Sequence, residues 1–225
     1  MRNIVIACSK KWFLKDKKTI NLLKNKNIFL IEKKNKLNIN YLKKINPSII
    51  FFPHWHFKVS NEIIKKYECI CFHTSPLPYG RGGSPIQNLI LRNFSKTPVC
   101  AIKMTDDIDS GPIYLKKKIS LEGNLKEIFI RISNEINIMI RILKNKRVKP
   151  KKQSGKVFYF KRLKKNNSLL ENTTSIQKIY NKIRMLDSEE YPNAFINLDK
   201  IKIVFTNAVL KKNSITCDAK IIKKR

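Results

Sequence analysis

The sequence predicts an α/β fold in which a mostly parallel sheet with crossover helices is followed by a small β-rich C-terminal region. Short, almost wholly apolar runs recur through the first half, separated by stretches with apolar residues at three- and four-residue spacing among lysines. Beyond a basic segment containing Pro150 and Gly155, the pattern changes to longer β-patterned segments.

Taken in order, the strand candidates of the first half are residues 3–8, 27–31, 48–53 and 69–73. Between the first two, residues 15–25 carry Ile20, Leu22 and Leu23 among lysines and predict a helix, as do residues 61–67. This is a Rossmann-like βαβ series without its Gly-x-Gly-x-x-Gly turn: Cys8, Ser9, Lys10 and Lys11 stand there instead, which argues against a dinucleotide. A helix over 85–92 opens on Pro85, as a first turn tolerates, and strands follow over 98–104 and 113–119. Residues 124–143 predict a long helix packed on the sheet, because Leu125, Ile128, Phe129, Ile132, Ile136, Met139, Ile140 and Leu143 form one stripe. Residues 144–155 read as a linker. A short strand (156–161), a helix (176–185) and two β-patterned segments (194–210 and 214–222) complete the chain. The expected domains are therefore 1–150 and 156–225.

The formal net charge of +32 points toward an anionic partner such as RNA. Only 9 of the 48 basic residues are arginines, however, and asparagine and isoleucine are abundant, so the charge also fits a compositional bias rather than selection for phosphate recognition. Five cysteines, Cys8, Cys69, Cys71, Cys100 and Cys217, lie mostly in apolar runs with no second pair to complete a zinc site. No apolar run reaches about 18 residues, so a cytoplasmic protein with no membrane partner is expected.

Two loops carry the chemistry. All three histidines fall between positions 54 and 73, at the ends of two strands, where open α/β sheets bind ligands. His73 ends a buried run and opens the Pro/Gly-rich segment from Thr74 through Ser75, Pro78, Arg81 and Gly82 to Pro85, too specific for a mere connector. The second loop, Met104, Thr105, Asp106, Asp107, Ile108, Asp109, Ser110, Gly111, Pro112, gathers three carboxylates. Such a cluster can cap a helix, bind a cation, orient a histidine or simply be a solvated turn.

Together the loops resemble the 10-formyltetrahydrofolate-dependent formyltransferases, the superfamily that includes methionyl-tRNA and nucleotide-sugar formyltransferases. Its pattern is Asn-x-His-x-Ser-x-Leu-Pro, then Arg-Gly and Pro, and later an Asp-x-Gly turn. His73, Ser75, Leu77, Pro78, Arg81, Gly82 and Pro85 match without a gap, and Asp109 with Gly111 supplies the turn 36 residues after the histidine. The similarity runs to about Leu143, with weaker echoes at 184–187 and 191–195 that resemble the start of the family's C-terminal β-rich domain.

The resemblance implies a Rossmann-like formyltransferase domain using 10-formyltetrahydrofolate as co-substrate and no metal. His73 would donate to the developing oxyanion while Asp109 orients its ring and helps relay the amine proton. Ser75 would fix the histidine, Pro78, Arg81, Gly82 and Pro85 would shape the loop, and Trp55, His56, Phe57 and residues Thr105, Asp106, Asp107 and Ile108 would contact the folate. Packing is an equally ordinary role for Trp55 and Phe57. One position departs from the pattern: the family's asparagine, two residues before the histidine, is Cys71, a weak donor. A second departure is the shortened stretch after Ile31, where tRNA-modifying members carry a basic insertion. The expected acceptor is a small primary amine, foremost that of a nucleotide-linked amino sugar. A methionyl-tRNA formyltransferase of reduced size, with tRNA as partner, is the alternative, and a non-catalytic folate- or RNA-binding relative is the reading from another class.

Overall fold

The computed structural model describes residues 2–170 and 175–224, so positions 1, 171–174 and 225 of the expected domain ranges lie outside the described residues. Strand β1 (Ile4–Ala7) is wholly buried. A one-turn helix α1 (Lys11–Leu14) precedes α2 (Lys17–Leu23), whose first turn is capped by the Asp16 carboxylate accepting from the Thr19 amide at 3.0 Å. After β2 (Ile28–Ile31) comes α3 (Ile39–Ile45), which the sequence reading did not place. Asn38 caps it at 2.9 Å, and Asn46 ends it in the left-handed conformation that asparagine tolerates. Then follow β3 (Ile49–Phe52), α4 (Asn61–Lys66) and β4 (Cys69–His73).

β1 pairs in parallel with β2 and with β3, and β3 with β4. Next come β5 (Tyr79–Gly82), α5 (Pro85–Leu91), β6 (Lys96–Lys103) and β7 (Ile113–Ser120), giving a six-stranded sheet of order β2-β1-β3-β4-β6-β7. β4 and β6 are antiparallel, with His73 opposite Cys100, so the sheet is mixed but mostly parallel over its first four strands. Helix α6 (Leu125–Asn145) buries every residue of its predicted stripe. At about 1.5–3 kcal/mol for each large apolar side chain, that stripe is a principal source of stability.

Beyond α6, residues 144–155 are not a free linker: Lys151 and Ile113 exchange backbone hydrogen bonds at 2.7 and 2.9 Å. β8 (Phe158–Phe160) pairs with β5 in a two-stranded ribbon. Helix α7 (Ile176–Arg184) is followed by β9 (Ala194–Leu198), β10 (Ile201–Leu210) and β11 (Ile215–Lys223), an antiparallel sheet of order β11-β10-β9. The β-patterned segment 194–210 is a hairpin that turns at Asp199 and Lys200.

The chain divides into two compact units. One comprises Met1–Gly82, Pro98–Ile119 and Phe129–Tyr159, and the other Gly83–Thr97, Ser120–Ile128 and Phe160–Arg225. Within the second, the buried Arg184 guanidinium donates to the carbonyls of Leu121 and Gly123 and, through Nε, to Asn181 Oδ1. Asn181 in turn donates to Ile90 O and Asn93 Oδ1. These acceptors offset the cost of burying a charge, which burial itself expresses by lowering the Arg184 pKa. Asp187 accepts from the amide of Asn207, a left-handed residue where the β10–β11 register shifts. Arg184 and Asp187 therefore serve the fold of this unit.

Candidate active site

β4 delivers His73 to the C-terminal end of the parallel strands, where backbone groups point outward and ligands bind in open sheets. The imidazole is enclosed, at 7% exposure. Its Nδ1 lies 3.3 Å from Asp109 Oδ2, and its Nε2 lies 2.7 Å from the Gly80 carbonyl. Both partners accept only, so a proton on Nε2 is donated to Gly80 and one on Nδ1 to the carboxylate.

Asp109 is held from three sides. Its Oδ2 accepts from the Gly82 amide at 2.9 Å, its carbonyl accepts from Gln153 Nε2 at 2.7 Å, and its backbone sits at φ 51°, a conformation aspartate tolerates better than most residues. The loop between His73 and Gly82 can reach both members of the pair because Gly80 and Gly82 adopt φ of 83° and 94°, open to glycine at little steric cost. Gly111 has a different reason to be glycine: a Cβ there would fall 1.8 Å from the Lys103 carbonyl, so only a bare backbone lets the Asp109 turn fold back on β6.

Gln153 is the residue the sequence did not mark. Its Nε2 donates to the carbonyls of Asp109 and Gly111, the latter at 2.9 Å, while its Oε1 accepts from Arg81 Nε and Nη2 at 3.2 and 2.8 Å. One amide thus ties the Arg81 loop to the Asp109 turn. Its partners lie 42 to 72 residues away, and a glutamine in a lysine-rich segment carries no local signal.

Among the other candidates, Ser75 is fully buried and its hydroxyl makes no hydrogen bond to His73; its carbonyl accepts from Leu77 N and Cys100 Sγ. Pro78 O accepts from the Phe158 amide, and Pro85 opens α5. Cys71 lies in β4 opposite Phe52 and Ile102, and burial, reinforced by the Asp109 charge, pushes its thiol pKa far up. Its side chain stays a neutral thiol, not a thiolate nucleophile. Trp55 packs on the core around Phe52, Val59 and Ile63, with Phe57 edge-on at 5.2 Å, and its Nε1 is buried without a partner. His56 Nδ1 meets Ser9 Oγ at 2.6 Å. Thr105, Asp106, Asp107 and Ile108 are exposed, their loop knit by Thr105 and Ser110 hydroxyls bonding each other and the Asp107 carbonyl. Of the three carboxylates, Asp109 is the one that reaches His73. No group of three or more His, Cys, Asp or Glu among the described residues is placed to hold a metal.

Comparison with known proteins agrees with this architecture. A mostly parallel sheet with a His-Asp pair at its strand ends, followed by an antiparallel C-terminal sheet, is the framework of a formyltransferase. The solved methionyl-tRNA formyltransferase from Clostridium thermocellum is 40% identical and superposes with a TM-score of 0.94, over 100% of both chains. The methionyl-tRNA formyltransferase of Rickettsia massiliae (strain Mtu5) is 34% identical over 171 residues, 72% of this chain and 56% of that protein. A solved protein from Mycobacterium tuberculosis described as a likely sugar N-formyltransferase shares the fold at 16% identity and a TM-score of 0.69, over 87% of this chain and 92% of that one. The family profile of the methionyl-tRNA formyltransferase C-terminal domain matches residues 165–222. The chain belongs to the methionyl-tRNA formyltransferase family. It spans somewhat over half the length of the curated relatives it matches. No helix among the described residues is long and apolar enough to cross a membrane.

Proposed function

We propose that the chain transfers the formyl group of 10-formyltetrahydrofolate to the amine of methionyl-tRNA, with its catalytic apparatus in residues 1–150 and a cytoplasmic location. The observation that carries the reading is the His73–Asp109 pair, fixed between the Gly82 amide and Gln153. The amine nitrogen bonds to the formyl carbon, the bond from that carbon to the folate N10 breaks, and the amine proton ends on the leaving nitrogen. Negative charge develops on the formyl oxygen between the two events. That oxygen competes with the neutral Gly80 carbonyl for the proton on His73 Nε2, and a charged acceptor makes the stronger hydrogen bond. Asp109 keeps the ring turned and compensates its charge as the amine proton is relayed.

For the folate, Trp55 offers a half-buried ring beside Phe57, a fit for a flat heteroaromatic group. Thr105 to Ile108 supply exposed backbone beside the Asp109 turn. The acceptor reading rests on the similarity to the Clostridium thermocellum methionyl-tRNA formyltransferase, which extends over the whole of both compared chains. A nucleotide-linked amino sugar is the second reading, favoured by the short stretch between Ile31 and Ile49, which holds α3 and no long insertion.

Titration with a stable folate analogue, followed by formylation assays on methionyl-tRNA and on nucleotide-linked amino sugars, separates these readings. Faster transfer to methionyl-tRNA is expected. The reverse preference would move the acceptor to the sugar, and saturable folate binding without transfer to either would leave a folate-binding relative. Cys71→Asn tests the missing amide directly. A gain on the order of 10²-fold in turnover would show that the site lacks an oxyanion donor, whereas no gain would show that another group already fills that place.

A further inference from the structure

We propose that Phe158, stacked on Tyr79 beside the His73–Asp109 pair, is a platform on which the nucleobase nearest the acceptor amine stacks. The inference rests on the reading that the acceptor is an amine carried by a nucleotide, and it adds the subsite that holds that nucleotide. Tyr79 opens β5 and adjoins Gly80, whose carbonyl meets His73. Phe158 opens β8, its amide bonded to the Pro78 carbonyl at 3.3 Å. Their rings lie 5.0 Å apart and 18° from parallel, a stacked pair. Phe158 is 40% and Tyr159 58% exposed, and Val157 before them is 44% exposed. Isolated surface aromatics are ordinary, but Phe158 is already stacked on a ring whose neighbour, Gly80, holds His73, and it keeps 40% of its surface open to a further flat group.

Charge identifies the ligand as a nucleotide rather than an apolar group. Seven lysines and arginines stand between Lys144 and Lys156, and no aspartate or glutamate occurs from there to Leu170. That run leads in sequence directly into the aromatic ribbon, and basic side chains close to stacking rings are how proteins hold single-stranded nucleotides. Arg81, kept in place by Gln153, adds a guanidinium next to the glycines that flank it on β5. The same base-plus-phosphate chemistry is presented by the 3′ end of an aminoacyl-tRNA and by the nucleotide of an activated amino sugar.

The test compares adenosine monophosphate with ribose 5-phosphate as titrants of wild type, Phe158→Leu and Phe158→Tyr. Wild type and Phe158→Tyr are expected to bind the base-bearing ligand about tenfold more tightly than the sugar phosphate, and Phe158→Leu, which keeps bulk but loses the π-face, to lose that preference. No preference in wild type, or an undiminished one in Phe158→Leu, overturns the proposal. This arm needs no turnover, so it fails or succeeds separately from formyl transfer. In the kinetic arm, Phe158→Leu is expected to raise KM about tenfold with kcat little changed, and the acceptor that shows the rise, methionyl-tRNA or amino-sugar nucleotide, identifies the source of the base. An unchanged KM for every acceptor the enzyme turns over would also overturn it.

Discussion

His73 ends one parallel strand and His54 follows its neighbour, yet the structure gives them opposite chemistry. His73 has an acceptor on each ring nitrogen, Asp109 on one side and the Gly80 carbonyl on the other. His54 lies among aromatic rings, 4.3 Å from Trp12 by ring centroid, with its Nε2 buried and without a partner. Burial first, and the nearby Lys10 second, push its pKa down to about 3. Histidines clustered at strand ends are therefore not a site in themselves. A histidine does proton chemistry where acceptors are fixed around it, and where they are absent it serves as a neutral ring for packing.

Replacing the two rings should separate the roles by the largest margin available. His73→Ala is expected to lower kcat for formyl transfer by roughly 10²- to 10⁴-fold while folate binding persists, and His54→Phe to change it by no more than a few-fold. Comparable losses from both would erase the distinction. Asp109→Asn sharpens it by removing the charge alone. Asparagine tolerates the left-handed backbone and still offers an oxygen to the Gly82 amide, so a roughly 10²-fold loss in kcat would be the loss of the carboxylate itself. Turnover at the wild-type rate would remove Asp109 from the mechanism.

A smaller effect is expected one residue further from the chemistry. Gln153→Ala leaves two carbonyls and the Arg81 guanidinium without their protein partner, partly exposed, which amounts to about 1–3 kcal/mol of stability and about a tenfold drop in kcat/KM. Gln153→Glu should not rescue it, because a carboxylate cannot donate to the Asp109 and Gly111 carbonyls. Denaturant unfolding together with kinetics of both variants checks this, and wild-type behaviour of Gln153→Ala would show that the loop and the turn hold their places unaided.

The difference between what the sequence disclosed and what it hid follows from the range of the interactions. Strands β1 to β4 and the stripe of α6 were legible because periodicity is local, and the placing of residues 69–73 as a strand ending on His73 agrees with β4 residue for residue. The His73 and Asp109 loops stood out because their glycines and prolines are costly unless required. Helix α3 was hidden because its two buried residues, Leu42 and Ile45, lie three apart amid lysine and asparagine, too few to set a period. The β9–β10 hairpin was hidden because the turn at Asp199 and Lys200 carries no glycine or proline. Gln153 could not be read at all, since its function consists of contacts made across the fold.

The last prediction returns to His54 and concerns stability alone. Its folded-state pKa lies below the ordinary 6.5, so the folded chain holds the ring neutral while the unfolded chain takes up a proton as pH falls through 6.5. The resulting stability is fully present above about pH 6.5 and is lost progressively toward pH 3, at up to about 1.4 kcal/mol per pH unit. His54→Phe keeps a ring against Trp12 but cannot titrate, so unfolding free energies at pH 7, 6 and 5 should fall less steeply for the variant than for wild type. The slope is the readout, because a phenylalanine at φ 56° costs stability equally at every pH. Parallel slopes would mean that water reaches the ring in the folded protein and that His54 takes up a proton there as readily as in the unfolded chain.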